Sequence, residues 1–303
     1  MDQTRRGVLL GAGAYGLWGL FPLYWPLLEP SGAVEVLAHR IVWSLLGVAL
    51  LVRVLGRWAQ VREVVADRRR LARLALAAVL IAVNWGTYIY GVTSEQVVET
   101  SLGYFINPLV TVLLGVLVLG ERLRPVQWGA LGAAALAVVV LSVEAGSPPV
   151  LALVLAASFG SYGLLKKTAG VRAVEGLAVE TAVLAPLALV YLLALGARGT
   201  GTFTSAGTGH LALLVGAGVV TVVPLLMFGA AAQRVTMVTL GLLQYLTPTM
   251  QFLLGVLVRH EPLGTAELVG FALVWAALAV FSYDLVRTSR PSRRRPVPEP
   301  ATC

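Results

Sequence analysis

Ten runs of mostly apolar residues, each near the length of a bilayer crossing, limit what this chain can become. They occupy residues 7–28, 34–55, 74–93, 101–120, 126–143, 148–165, 173–196, 211–232, 235–258 and 263–285. A helix rising about 1.5 Å per residue needs roughly 20 such residues to cross a hydrocarbon core. In lipid every backbone N–H and C=O needs a partner within its own segment, and these runs are too long and too evenly apolar to be alternating barrel strands. The expectation is an all-α integral membrane protein of ten transmembrane helices. Composition agrees, because 58% apolar and 13% charged residues lie outside the range of water-soluble domains.

Charge orients the runs. If the N-terminus is cytoplasmic, the basic residues of Arg5–Arg6, Arg53–Arg73, Arg122–Arg124, Lys166–Arg172, Arg234 and Arg287–Arg295 all fall on the inside. Of the 23 Lys and Arg residues, only Arg198 and Arg259 then lie outside, and Arg40 lies within a run. The positive-inside rule therefore puts both termini in the cytoplasm, with an even number of crossings.

A repeat divides the ten runs. Pro108–Glu121 reads PLVTVLLGVLVLGE and Pro248–Glu261 reads PTMQFLLGVLVRHE, an offset of 140 residues (261 − 121). The same offset carries AVEVLA from Ala33 onto AVEGLA from Ala173. Five helices per repeat is an odd number, so the second copy must enter the membrane upside down. The arginines after Glu121 are missing after Glu261, as that inversion requires. The expected parts are a five-helix repeat at 1–146, an inverted five-helix repeat at 147–286 and a basic, proline-rich cytoplasmic tail at 287–303 lying against lipid headgroups.

Several function classes are excluded. The net charge of +8 is accounted for by topology, so no nucleic acid partner is expected. The single cysteine, Cys303, and three scattered histidines give no metal-ligand spacing, and no cofactor is expected. Gly11, Gly13 and Gly16 spell G-x-G-x-x-G without a preceding strand, and Gly7 with Gly11 reads as close helix packing. No Walker sequence surrounds the only lysines, Lys166 and Lys167. The opening Thr4–Ala14 imitates a twin-arginine signal, but its apolar run continues to Leu28 and reads as a retained first helix.

Substrate sites of inverted-repeat carriers lie near the midplane, where helices are interrupted. Pro108 and Pro248 occupy equivalent places in the fourth and ninth runs, and each is expected to bend its helix. Near them stand Tyr104 and Asn107 in one half, and Gln244, Tyr245 and Thr247 in the other. Asn84 and Trp85 lie in the third run. Such polar side chains either line a site or hydrogen-bond helices together. Arg40 and its counterpart Glu180 are charges inside the second and seventh runs, each costing at least roughly 2.5 kcal/mol there, so a function is expected of them. They either pair across the interface, as a gate, a headgroup clamp or a structural pair, or Arg40 snorkels to the outer surface. Glu180 and His39 are the candidates for coupling proton movement to transport; His39 alternatively is a packing histidine. Tyr15, Trp18, Tyr88 and Tyr90 form either an aromatic wall or packing, and Trp25 and Trp58 read as interfacial anchors. Glu35 and Glu175 sit favourably at helix ends, and Gly196–His210 reads as a flexible external loop.

AYGLWGLFPLY (Ala14–Tyr24), EVLAHRIVWS (Glu35–Ser44), NWGTYIYGV (Asn84–Val92), ETSLGYFINPLV (Glu99–Val110), LGERL (Leu119–Leu123), VPLLMFGAAAQR (Val223–Arg234) and TLGLLQYLTPT (Thr239–Thr249) together resemble the RarD family of the EamA-type drug/metabolite transporter superfamily. The resemblance covers nearly all of 7–285. It implies a bacterial inner-membrane protein that is a secondary carrier, an exporter of small metabolites or drugs working by alternating access, with a small-molecule substrate and lipid as partners. It names no catalytic residues, substrate or oligomeric state. Two other readings stand beside it: an integral-membrane enzyme on lipid-linked substrates, for which no nucleophile, base and orienter are evident, and a membrane regulator without flux.

Overall fold

The computed structural model describes residues 2–258 apart from 95, 126, 130, 133–134, 137–138 and 140–149, and beyond 258 only 269, 272, 275 and 276. The fifth and tenth runs and the basic tail thus lie largely or wholly outside the described residues. Within them the chain is helical, with no strand. The first run forms α1 (Gln3–Gly19), a single turn α2 (Phe21–Tyr24) and a 3₁₀ turn (Trp25–Leu28). There follow α3 (Ala33–Val54), α4 (Trp58–Ala66), α5 (Arg68–Thr93), α6 (Val97–Leu119), α7 (Val150–Thr168), α8 (Ala173–Arg198), α9 (Thr208–Ala232), α10 (Met237–Leu243) and α11 (Leu246–Leu257). Seven stretches, 3–28, 33–54, 68–91, 150–168, 173–198, 208–232 and 237–257, are long and apolar enough to cross a membrane. Short α4, within the stretch whose arginines were placed inside, buries Val64 and packs Val61 partly against the core.

The surface is that of a protein solvated by lipid. Leu117 is 77% exposed and Leu257, its counterpart 140 residues on, 67%. Val118 and Val258 are likewise both exposed, as are Leu113 and Leu253. The repeated LLGVLV run therefore turns the same face outward in both copies, an apolar face that water would penalise.

Packing runs chiefly between elements on opposite sides of residue 147. α3 packs on α8, its counterpart by offset. α6 likewise packs on α10, which begins its own counterpart, and the other principal pairs come in twos: α6 on α7 with α1 on α11, α3 on α9 with α5 on α8, and α5 on α7 with α1 on α9. Close crossings need small residues. A Cβ on Gly218 would meet the Trp43 backbone carbon at 2.6 Å, and one on Gly7 would meet Arg234 Cβ at 2.7 Å. Gly7 and Gly11, whose added Cβ would lie 2.8 Å from Leu243, are packing glycines as their spacing suggested.

The two prolines act differently. Pro108 sits inside a continuous α6. Before Pro248 the helix breaks, at Gln244 and Tyr245. Proline has no N–H to give the carbonyl four residues back, and the Gln244 carbonyl instead accepts from Thr247 N at 3.2 Å.

Hydrogen bonds gather element ends at two levels. At the arginine-rich level, Glu121 accepts from the backbone N–H of Met237 (2.8 Å) and Val238 (3.0 Å) at the start of α10. Lys167 Nζ donates to Val235 O, Gln233 Nε2 to Val171 O, and Arg57 pairs with Glu175 at 3.2 Å. At the other level, Glu35 accepts from Thr202 N (2.7 Å) and Thr202 Oγ1 (3.1 Å), while Ser31 Oγ lies 2.5 Å from Thr202 Oγ1 and 2.8 Å from His210 Nε2. The loop at 199–207, expected to be flexible, is thus tied to the start of α3. Its Phe203 also stacks on His39 with ring centroids 4.7 Å apart.

Candidate functional site

The helices enclose a cavity of about 150 Å³ between α1, α3, α5, α6, α7, α9 and the α10–α11 break. At about 30 Å³ per water that is room for roughly five waters, or for one aromatic ring. Arg40, Asn84, Trp85, Tyr104, Asn107 and Gln244 all line it, so six of the side chains singled out from sequence converge. Tyr104 and Gln244 are equivalent by the 140 offset, as are Asn107 and Thr247, and all four face this one space. Positions related by that offset in sequence thus bring different chemistry to the one space.

Arg40 lies seven residues into α3, about 10 Å along the helix. Its Nε donates to Thr221 Oγ1 at 2.9 Å, and that hydroxyl donates in turn to Ala217 O at 2.7 Å. The guanidinium carbon stands 4.7 Å from the Trp25 ring, 4.8 Å from the Trp85 ring and 5.9 Å from the Phe21 ring, within the reach of cation–π attraction. Trp25 is thus a wall of the cavity and not the interfacial anchor its place near the end of the first run suggested.

The pairing of Arg40 with Glu180 is not formed. Glu180 Oε1 is 2.7 Å from Lys166 Nζ and its Oε2 accepts from the Tyr162 hydroxyl at 3.1 Å. It faces a separate void of about 20 Å³ and does not line the main cavity. The 140-residue offset that relates Arg40 to Glu180 in sequence does not bring the two side chains together. Lys166 had been counted with the cytoplasmic charge, yet it is only 3% exposed. Two glycines leave it space: a Cβ on Gly229 would lie 3.1 Å from its Cε, and one on Gly176 3.2 Å from its Nζ. The signal available in the sequence was Glu180 itself, a buried acid that needed a cation.

The remaining candidates divide. Asn84 Nδ2 donates to Leu155 O (2.9 Å) and Ser158 Oγ (3.1 Å), tying α5 to α7. Gln244 Oε1 accepts from Thr111 Oγ1 at 3.2 Å, while its Nε2 is buried without a partner, as are Asn107 Oδ1 and the Tyr15 hydroxyl. Buried polar atoms without partners are rare and each calls for an explanation. Tyr245 does not line the cavity; its hydroxyl points to Phe105 O at 3.5 Å. His39 does not line it either, and neither ring nitrogen has a partner. Of the aromatic wall, Tyr15, Trp18 and Tyr88 line the space and Tyr90 does not. Trp25, Thr221 and Gln251, which sequence reasoning missed, belong to the site or to its support.

An EamA-like transporter family model matches residues 5–143. A protein of Streptomyces exfoliatus named Protein RarD is 55% identical over 294 residues, covering 97% of this chain and 93% of that one. Protein RarD of Escherichia coli is 42% identical over 288 residues, covering 95% and 97%. The chain belongs to the RarD family. A relative in Pseudomonas aeruginosa, 46% identical over 95% of this chain and 97% of its own length, is named an uncharacterized transporter. The RarD-family chain is accordingly a multi-pass membrane protein with a transporter role. A solved structure described as a crystal structure of protein is similar at a TM-score of 0.72 and 20% identity, covering 93% of this chain and 98% of that one, which speaks for the fold alone.

Proposed function

We propose that this protein is a secondary carrier of the bacterial inner membrane that exports a small molecule by alternating access, and that the conformation described is open to the outside. The observation that carries this is the asymmetry of the cavity. Its lining runs from Tyr15 and Gln244 at mid-helix to Trp25, Tyr88 and Gln251 on the arginine-poor side. On the arginine-rich side the Glu121, Lys167 and Gln233 hydrogen bonds close the same helices together. A space that reaches one side while the other is sealed is one half of an alternating-access cycle.

The inverted repeat, with halves at 1–146 and 147–286 and both termini cytoplasmic, belongs to the same proposal. Two observations support it: the principal helix contacts either join an element to its own counterpart or come in offset-related twos, and the start of α1 meets Arg234 and Val235 at the end where α7, its counterpart, finishes with Lys167. α1 thus leaves the level at which α7 arrives.

Neither alternative gains. Ser31, His210 and Glu35 do gather at the outer level, but Glu35 bonds Thr202 instead of orienting the imidazole, and Thr202 shares the same Nε2 at 3.3 Å. A nucleophile, base and orienter in series are not assembled. A regulator without flux has no need of a cavity lined by Arg40, Asn107 and Gln244.

The test is transport by purified protein in proteoliposomes, scored as counterflow across a broad panel of small metabolites and drugs. Saturable counterflow of at least one compound is expected. Absence of counterflow across the panel, from protein shown to be folded, overturns the proposal.

A further inference from the structure

Taking the cavity as the carrier's substrate site, we propose that its ligand is a small organic monoanion with a planar apolar body, such as an aromatic carboxylate, its negative group held by Arg40. The inference rests on an imbalance of charge. Among the described residues lining the cavity Arg40 is the only charged one. The nearby acids are committed elsewhere: Glu35 to Thr202, Glu175 to Arg57, and Glu180 to Lys166 and Tyr162. Among the described side chains, no carboxylate lies within 4.0 Å of the Arg40 guanidinium.

Arg40 spends one of its five N–H groups, Nε–H, on Thr221. The two terminal nitrogens keep the planar, two-pronged face that matches a carboxylate or a phosphate. Rings at 4.7 and 4.8 Å hold the guanidinium in place but do not neutralise it. A lone cation within a membrane-spanning segment is costly, and a ligand anion removes that cost while leaving the net charge of the filled site at zero. One positive charge selects one negative charge. An amine or an uncompensated zwitterion would put a second cation beside Arg40 with no acid in the wall to receive it.

The body of the ligand follows from the walls. Trp18, Phe21, Trp25, Trp85 and Phe159 present ring faces and edges, and about 150 Å³ accommodates a single ring with a short substituent.

The test uses full-length protein in phosphatidylcholine nanodiscs and three near-isosteric probes, benzoate, benzamide and benzylamine, titrated to millimolar concentration by thermal shift. Benzoate is expected to stabilise the protein and to bind at least about tenfold more tightly than the other two, as loss of a charge-assisted hydrogen bond implies. Arg40→Gln should erase that preference and Arg40→Lys should keep part of it. Equal binding of benzamide or benzylamine by the wild-type chain overturns the proposal, as does an unchanged preference in Arg40→Gln. If Arg40→Gln does not fold, the wild-type series and Arg40→Lys decide between these outcomes. Loss of benzoate binding in nanodiscs doped with phosphatidylglycerol also overturns it, because Arg40 would then serve a lipid phosphate. Binding that depends on Arg40, with no counterflow of any compound in the panel, refutes the carrier and leaves this assignment standing. Counterflow of neutral or cationic solutes, unaffected by Arg40→Gln, does the reverse.

Discussion

The Nζ of Lys166 lies 2.7 Å from Oε1 of Glu180, with both side chains 3% exposed, and this bond withdraws from Arg40 the acid that shares its place in the repeat. One intramembrane charge pair is internally complete. The other charge, Arg40, faces a cavity. The division between a structural pair and an available cation underlies the functional reading of the site.

Removing one member of the buried pair should be far worse than removing both. Lys166→Met strands the Glu180 carboxylate, and a loss of about 3–5 kcal/mol is the usual cost of a broken buried pair. The double variant Lys166→Met with Glu180→Leu should recover most of it. Thermal unfolding in detergent across this double-mutant cycle checks the point; additive losses would show that the two residues do not interact.

Thr221 holds Arg40 by its Nε, so Thr221→Val should cost roughly 1–3 kcal/mol of ligand binding with only a small loss of fold stability, whereas Thr221→Ser retains the acceptor. The measurement is the affinity of a ligand found to bind the wild-type protein, compared across the two variants. Equal affinity in Thr221→Val and the wild-type chain would mean that the hydrogen bond to Thr221 is incidental.

The proline at the broken helix should matter more than its equivalent. Pro248→Ala returns an N–H to the Gln244 carbonyl and allows α10 and α11 to join, turning the Gln244 side chain relative to the cavity. Higher thermal stability with reduced transport is expected. Pro108→Ala, within the already continuous α6, should change transport less, and the reverse ranking would count against the break as part of the site.

Asp67 supplies a pH effect outside the membrane-spanning segments. Its Oδ1 accepts from Arg70 N at 3.2 Å and Arg69 N at 2.9 Å, capping α5. The Arg70 backbone hydrogen bond, followed by that of Arg69 and the charges of both arginines, holds its carboxyl below the usual carboxylate range. A depressed folded-state value contributes stability at pH above the unfolded value of about 3.9, and that contribution fades as pH falls through the lower, folded one. The first turn of α5 should thus lose hydrogen-exchange protection in acid, and Asp67→Asn should remove that pH dependence.

Much of this site was legible because lipid makes polarity conspicuous. Arg40, Asn107 and Gln244 stood out as polar groups inside apolar runs, and all three line the cavity. Lys166 did not stand out, since it ends its run beside Lys167 and is indistinguishable by sequence from a solvated loop charge; only the packing of Gly176 and Gly229 reveals its burial. Trp25 was misjudged for a related reason: an aromatic near the end of a run serves equally as an anchor or as a wall. Loop order at 199–207 depends on long-range bonds to Glu35 and Ser31, which no local pattern announces.

Two-sided labelling of a cysteine at Gln251, in a chain whose only native cysteine is replaced by Cys303→Ser, tests the alternating-access reading most directly. A membrane-impermeant maleimide should reach the Gln251→Cys thiol from the outer face and not from the cytoplasm. Adding Glu121→Ala, which removes the acceptor of the Met237 and Val238 N–H groups, should bring the reverse pattern, with cytoplasmic labelling appearing and outer labelling slowing. Labelling of the Gln251→Cys chain only from the cytoplasm, or from neither face in both backgrounds, would contradict it.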